Sequence, residues 1–427
     1  MTSDYIAQLS TELAQQSEVA EFQLYSSKVH NLKAGFQNDQ LGGIYQPIQD
    51  HIGQRVKYLA ITKDGQMGYG SFNQFMFTSP SDAASHILAN TIAVNELIPL
   101  AQPPKDFKPI KLASETTLDI IQNHPNKVIE DISALQKQLL DSKLKSTEGQ
   151  VEVQHMEKFF ANSEDVYMSS SSTSYGCFAD YNGELGTYES GVEYSSAIKN
   201  DNFKIVGEYA TRLENKATLP SAEYAVLLSP SLGMELLNHY LLNNTSGRTV
   251  AASIGAFSRE DFESKRQVAH KNLTISFDQT IPMSIDSFNF SADGIVGQRF
   301  DLIHNGRLCE PICNLESAKE LGYTPRVVSS ISTANLAAQS YQDFAKQHDK
   351  FILVLELLGI HTQNGVLGTY SLPVPAALVV ENGNITSAVA GSIVGNFFDT
   401  LKQTEIGFVE VPGFPKPGLS FTTKFES

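Results

Sequence analysis

Cys309-Glu310-Pro311-Ile312-Cys313 puts two thiols and a carboxylate in one short segment, a donor set that could grip a soft metal ion. Pro311 interrupts it, and the third cysteine, Cys177, is far away in sequence, so ordinary buried thiols are the plainer reading. His239 and His361 could each serve as a lone base. His239 lies in an apolar helical run that suits a hydrogen-bonded surface or core histidine, while His361 sits beside the Asn364-Gly365 turn and could line a groove. The 10 histidines are scattered, with no two inside one helical turn, so no helix offers an imidazole pair. Glu260-Asp261 reads as a solvated acidic pair. The chain has no Gly-x-Ser-x-Gly elbow, no P-loop and no Gly-x-Gly-x-x-Gly fingerprint, so neither residue types nor spacing specify a catalytic set.

The elements that would have to position these residues are legible in coarse form. A helix is predicted from Asp4 to about Ala20, with Ile6, Leu9 and Leu13 on one face, followed by a strand from Glu21 to Val29. Val56–Ile61 and Met67–Phe72 read as strands joined by the Lys63-Asp64-Gly65 turn. Ser79-Pro80-Ser81-Asp82 opens a helix whose stripe is Ala84, Ile87, Leu88, Ile92 and Leu97. Pro103-Pro104 and the stretch from Lys105 to Pro109 make a stiff break. A third helix, from about Asn126 to Ser142, presents Val128, Ile132, Leu135 and Leu139, and β-like pieces follow around Val151–His155 and Val166–Ser169. The polar run Ser169–Ser174 reads as a strand edge or loop, with a turn at Tyr181-Asn182-Gly183. From about Leu219 a strand (Tyr224–Leu228) and a helix beginning at Pro230-Ser231 lead into short strands separated by Asp293-Gly294, Asn305-Gly306 and Glu381-Asn382-Gly383 turns. The expected class is α+β: a small α/β amino-terminal domain (1–105), a mixed helix-and-strand middle region (106–218) and a large β-rich carboxy-terminal domain (219–427).

Composition narrows the partners. At 427 residues, 41% hydrophobic and 18% charged, the chain has the make-up of a soluble multi-domain protein, and mean hydropathy is −0.18. The net charge of −16 argues against a nucleic-acid backbone as main partner. No apolar run is long enough to span a bilayer, and Met1-Thr2-Ser3-Asp4-Tyr5 shows no export signal. With few cysteines, a reducing, cytoplasmic location is expected.

One stretch carries more information than the rest. It runs through Leu357-Leu358-Gly359, Asn364-Gly365-Val366-Leu367-Gly368-Thr369-Tyr370-Ser371 and Val379-Val380-Glu381-Asn382-Gly383-Asn384-Ile385 to Gly395-Asn396. In order and spacing it resembles the carboxy-terminal domain of the TldD/TldE (PmbA) family of paired zinc-peptidase subunits. Asp64-Gly65 with Gly68, the segment Ala222–Pro230, Ser291-Ala292-Asp293-Gly294 and Leu302–Leu308 extend that resemblance over most of the chain. There are departures. Family members commonly carry Gly-Asp-Phe-Ser where this chain has Gly368-Thr369-Tyr370-Ser371, and Pro375-Ala376-Ala377 stands where a glycine is usual before the Glu-Asn-Gly turn.

The resemblance implies, for the metal-bearing subunit, a helix with His-Glu-x-x-x-His and a distant Cys that together hold zinc. Here the three motif positions fall on Leu237, Asn238 and Leu242, or, one register on, Asn238, His239 and Asn243, and the tail after Gly407 has no cysteine. No catalytic and no metal-binding residue is therefore expected in this chain, and zinc is expected in a TldD-like partner. The implied role is a TldE/PmbA-like, zinc-less subunit of a heterodimer that proteolyses unfolded peptides or leader peptides of ribosomally made products. His361, Asn364, Thr369, Tyr370 and Ser371 are the candidate peptide-binding residues, with strand addition at a sheet edge as the mode. Two other readings stay open: a homodimeric peptide-binding or scaffold protein, and a free-standing hydrolase whose site is assembled from distant residues. The family's older label of gyrase modulator finds little support in the charge of the chain.

Overall fold

The computed structural model describes residues 2–37, 40–41, 48–104, 106–141, 148–181, 185–195, 201–214 and 216–426. Lys105 of the proline-rich break, Ser142 at the expected helix end, and Asn182 and Gly183 of the turn after Tyr181 lie outside them, as does Met1. Helix and strand are mixed throughout, in an α+β architecture built on two large sheets.

The first sheet has eight strands: β1 (Val19–Gln37), β2 (Gln40–Leu41), β3 (Gln49–Thr62), β4 (Gln66–Asn73), β5 (Ile92–Ala93), β6 (Glu148–Asn162), β7 (Tyr167–Tyr181) and β8 (Leu185–Gly191). Their order is β5-β4-β3-β1-β6-β7-β8, with β2 pairing β1. The pairing of β1 with β6, from Gln23 opposite Asn162 to Gln37 opposite Glu148, joins residues from both sides of the break at 103–109. Residue 105 is therefore no boundary in the sheet, and the expected units 1–105 and 106–218 share one layer. Strand pairing over so long a separation leaves no local mark in sequence.

Helices α1 (Thr2–Gln15) and α2 (Pro80–Ala89) cover one end of a sheet face, where Ile6, Leu9, Leu13 and Ile87 meet Phe22, Leu24, Val56 and Phe72. After α3 (Glu115–Asn123), helix α4 (Asn126–Asp141) covers the other end of that face. Its stripe Val128, Ile132, Leu135 and Leu139 is buried against Leu32, Ala34, Val151 and Val153. Helix α2 is shorter than its apolar stripe suggests. It ends at Asn90, whose Nδ2 donates to His86 O at 2.7 Å, and Ile92 and Leu97 lie beyond it, 63% and 37% exposed. The Ser169–Ser174 run lies within β7, between β6 and a bridge from Leu112 to Ser172.

Helix α5 (Asn202–Arg212), β9 (Lys216–Ala217), β10 (Ala222–Leu228) and helix α6 (Pro230–Leu237) open the second half. Strands β11 (Ile275–Asp278), β12 (Arg299–His304) and β13 (Arg307–Leu308) form a small antiparallel ribbon, whose Asn305-Gly306 turn has positive φ at both residues. The second large sheet adds β14 (Ala338–Gln339), β15 (Lys350–Glu356), β16 (Thr369–Glu381), β17 (Asn384–Asn396), β18 (Gly407–Glu410) and β19 (Pro417–Glu426). Its order is β14-β18-β19-β10-β15-β16-β17-β9, and β19 also pairs with β17, closing β19, β10, β15, β16 and β17 into a ring. Both faces of these strands are buried. Val226, Ile352 and Val379 face the cluster that includes α6, while Leu227, Leu353 and Leu378 face the one that includes α4 and α5. That double burial explains unbroken apolar runs such as Phe351–Leu355. Among the described residues no helix is long and apolar enough to cross a membrane.

Candidate functional site

The helix that resembles the family's metal-binding element is α6 with its continuation. After Leu237 it widens into a π turn over Asn238–Leu242, closed by the Asn243 N–H donating to Asn238 O. The widening has a geometric consequence. At 3.6 residues per turn, positions five apart, such as 237 and 242, sit about 140° apart around a helix, and the i→i+5 bonding of a π turn swings them toward one side. Leu242 indeed packs against the cluster that contains Leu237.

The side chains at these positions do not fit a zinc ion. Leu237 is fully buried, and neither leucine can donate. The Asn238 amide is committed at both ends: Nδ2 donates to Ser330 Oγ at 2.9 Å, and Oδ1 accepts from Ile331 N at 2.7 Å. His239 Nε2 is 3.1 Å from Gln363 O. Among the described residues no group of three or more His, Cys, Asp or Glu side chains is arranged to hold a metal. Cys313 is buried and Cys309 half-buried, and burial pushes both thiols up, away from the thiolate a metal needs.

What this helix does is clamp the segment leading into β16. Asn244 is buried and bonded on every side. Its Nδ2 donates to Tyr240 O at 2.7 Å and Gly365 O at 2.9 Å, and its Oδ1 accepts from Ala256 N at 2.7 Å. Tyr240 Oη donates to Thr369 O at 3.1 Å; burial and the neighbouring Tyr370 push its phenol up to about 12, so it stays a donor at neutral pH.

The expected peptide-binding residues share this region but not one surface. His361 is exposed on a short 3₁₀ turn, Ile360–Thr362. Asn364 Oδ1 accepts from Val366 N and Leu367 N at 3.1 and 2.9 Å, which makes it a turn-former. Thr369 and Ser371 point outward from β16, while Tyr370 points into the core, its Oη 2.9 Å from Thr423 Oγ1. The main-chain edge beside them is already engaged: Thr369 O by Tyr240, Ser371 N by Gln363 Oε1 and Pro373 O by Leu358 N. That occupancy leaves little room for an added strand at this edge.

A cleft lies where the first sheet meets the second half and continues to the π turn. One lobe, of about 440 Å³, is lined by Tyr25, Tyr69 and Ser71 of the sheet with Arg248, Asp293 and Glu316. The next, of about 460 Å³, shares Arg248 and Asp293 and reaches Leu242, Asn243, Arg326 and Ser329. Of the motif positions, Leu242 lines this lobe, as does Asn243 one register on. The Arg248 side chain is 79% exposed there, with Glu316 3.7 Å away. Arg326 is held by Glu310 at 2.7 Å and stacked over Phe300. The sequence reading singled out neither arginine; each is a lone cation without a patterned neighbour, and only the folding of the second half sets them on one wall.

Comparison with known proteins bears on the whole chain. Residues 221–409 match the family model of the PmbA/TldA metallopeptidase C-terminal domain. An uncharacterized protein of Methanocaldococcus jannaschii is 21% identical over 354 residues, covering 80% of this chain and 82% of that protein. Three crystal structures share the fold, each covering 100% of both chains. A candidate modulator of a DNA gyrase from Thermotoga maritima has a TM-score of 0.80 at 18% identity. A second such candidate, from Bacteroides thetaiotaomicron, has the same score and identity. TldE from Thermococcus kodakarensis has a TM-score of 0.77 at 15% identity.

Proposed function

We infer, for a chain that belongs to the TldD/TldE (PmbA) family through its carboxy-terminal domain, that it acts as the zinc-less subunit of a two-subunit peptidase. One observation carries this reading. The helix at the family's metal position keeps its fold and its place on a cleft, while Leu237, Asn238 and Leu242 occupy the ligand positions and are committed to packing or to Ser330 and Ile331. The zinc, and the hydrolytic step with it, belongs to a TldD-like partner. This chain contributes walls that hold an extended, unfolded peptide or leader peptide. Tyrosines on the sheet offer flat apolar contact that tolerates many sequences, and Arg248 and Arg326 offer donors to peptide carbonyls. A cytoplasmic heterodimer is the assembly this implies, in keeping with the charge and the few thiols.

The test is cleavage of an unfolded peptide by a TldD-like subunit alone, by this chain alone and by the two mixed in equal amounts, with size-exclusion chromatography of the mixture. Cleavage that requires both chains, together with a co-eluting complex, is the expected result. A TldD-like subunit that is equally active alone sinks the proposal.

A further inference from the structure

Lys158 stands in the middle of β6, opposite Ser27 of β1 and Ser170 of β7. Its side chain lies on the face that also carries Tyr25 and Phe160, the face covered by the second half of the chain. Among the described residues no hydrogen bond or ion pair reaches its ammonium, and burial alone holds its pKa below the usual lysine value. It lines a partly open cavity of about 310 Å³ together with Gln279, Asp286, Ser287, Phe290, Ser291 and Val328.

The other polar groups of this cavity set its chemistry. Its one carboxylate, Asp286, is taken by Lys416. The Gln279 amide is spent on Val327 O and Gln298 N. Ser287 Oγ is buried without a partner among the described residues. Ser291 Oγ accepts from Asp293 N and Ile295 N, which leaves its own proton to give. The ammonium therefore meets two hydroxyls that can donate, beside one carboxylate whose charge is shared with Lys416. Asn289 fixes the wall, with Nδ2 donating to Ser170 Oγ at 2.8 Å and Oδ1 accepting from Ile110 N at 2.7 Å. A half-buried cation left unpaired loses hydration that nothing else in the cavity replaces.

We propose that the cavity around Lys158 is a carboxylate-binding subsite that takes either the C-terminal carboxylate or an acidic side chain of a peptide. Val327, Val328 and Ser329 line both this cavity and the lobe that holds Leu242 and Arg326. A peptide in the cleft can thus send one anionic group past that segment to Lys158. The carrier rests on the peptide-subunit reading above; the anion preference does not.

The experiment has two arms. In the first, three versions of one fluorescent unfolded peptide are titrated against the full chain: free C-terminus without acidic residues, its C-terminal amide, and the amide with one internal Glu. A carboxylate form binds about tenfold or more tightly than the plain amide, as expected for a desolvated charge-assisted contact. The form that gains identifies the source. Lys158→Met and Lys158→Gln abolish the gain with thermal midpoints equal to or above wild type. Equal binding of all three peptides, or a gain that survives in both variants, overturns the subsite while the peptide reading stands. In the second arm, wild-type protein is acylated with a limiting active ester in the presence of N-acetylglycine or N-acetylglycinamide, and Lys158 labelling is read by mass spectrometry. Protection by the carboxylate alone supports the subsite even if no peptide binds, an outcome that would sink only the peptide reading. Equal labelling overturns the subsite.

Discussion

Asn244 shows how much a single side chain can organise around this cleft. Three short hydrogen bonds tie it to Tyr240, Gly365 and Ala256, so it holds the π turn, the segment before β16 and the loop after Ala251 in one arrangement. Asn244→Ala leaves the Ala256 N–H and two carbonyls without this partner inside a buried site. A loss of about 3 kcal/mol is expected from unpaired buried groups, read as a shift of the urea midpoint at unchanged slope. An unchanged midpoint would mean water replaces the amide and the clamp is dispensable. Sequence reading passed over Asn244, since an asparagine at the end of a helical run looks like a surface residue. The one local signal was that Asn243-Asn244-Thr245 are weak helix formers, which marks a helix end but not a clamp. That Leu237 and Leu242 carry no ligand atom is a matter of residue type and can be read in any fold. Lys158 was not, since its isolation follows from strands that meet it from far along the chain.

At the scale of elements, the β16–β17 hairpin is where the sequence was easiest to read. Asn382 and Gly383 both take positive φ, as the Glu-Asn-Gly turn requires, and the strands on either side pair from Glu381 opposite Asn384, with irregularities at Val379–Val380 and Val374–Ala377. Less visible was the reason for Gly395. It lies opposite Tyr370, and a Cβ there would come within 2.6 Å of Tyr370 Oη and 2.8 Å of Cζ, with Thr423 Oγ1 at 3.3 Å. Tyr370, expected to touch a peptide, instead fills the space that this glycine leaves. Gly395→Ala should cost about 1–3 kcal/mol through overpacking of a closed core, and Tyr370→Phe should lessen the cost by removing the nearest contact. Chemical denaturation of both single variants and the double variant measures the coupling; strictly additive losses would show that the tyrosine and the glycine do not meet. The overextended reading of α2 has a similar cause. Ile92 and Leu97 continue an apolar spacing, but Asn90 and Thr91 turn their side chains back onto His86 O and Leu88 O and close the helix.

For the molecule as a whole, the two sheets are coupled more tightly than a three-domain reading of the sequence suggests. One buried cluster runs from Leu32 and Val153 of the first sheet through Val128 and Phe203 to Leu227, Leu353 and Leu378 of the second. Polar ties cross the same boundary: Asn289 to Ile110 and Ser170, and Thr187 Oγ1 to Gly413 O at 2.7 Å. The Leu227, Leu353 and Leu378 side of the ring is apolar, and α4, α5 and the first sheet supply much of its cover, with Phe344 of the second half beside them. Denaturation should therefore remove both sheets together, with amide-exchange protection in β1–β8 and in β10–β19 lost at the same denaturant concentration. Asn289→Ala strands Ile110 N and O and Ser170 Oγ at the seam, and should lower that shared midpoint by the equivalent of about 2 kcal/mol without splitting it. Protection that disappears from the first sheet while the ring persists would show that the halves are independent folding units. The cleft between them would then be a flexible seam, and a peptide could not rely on its two walls keeping their spacing.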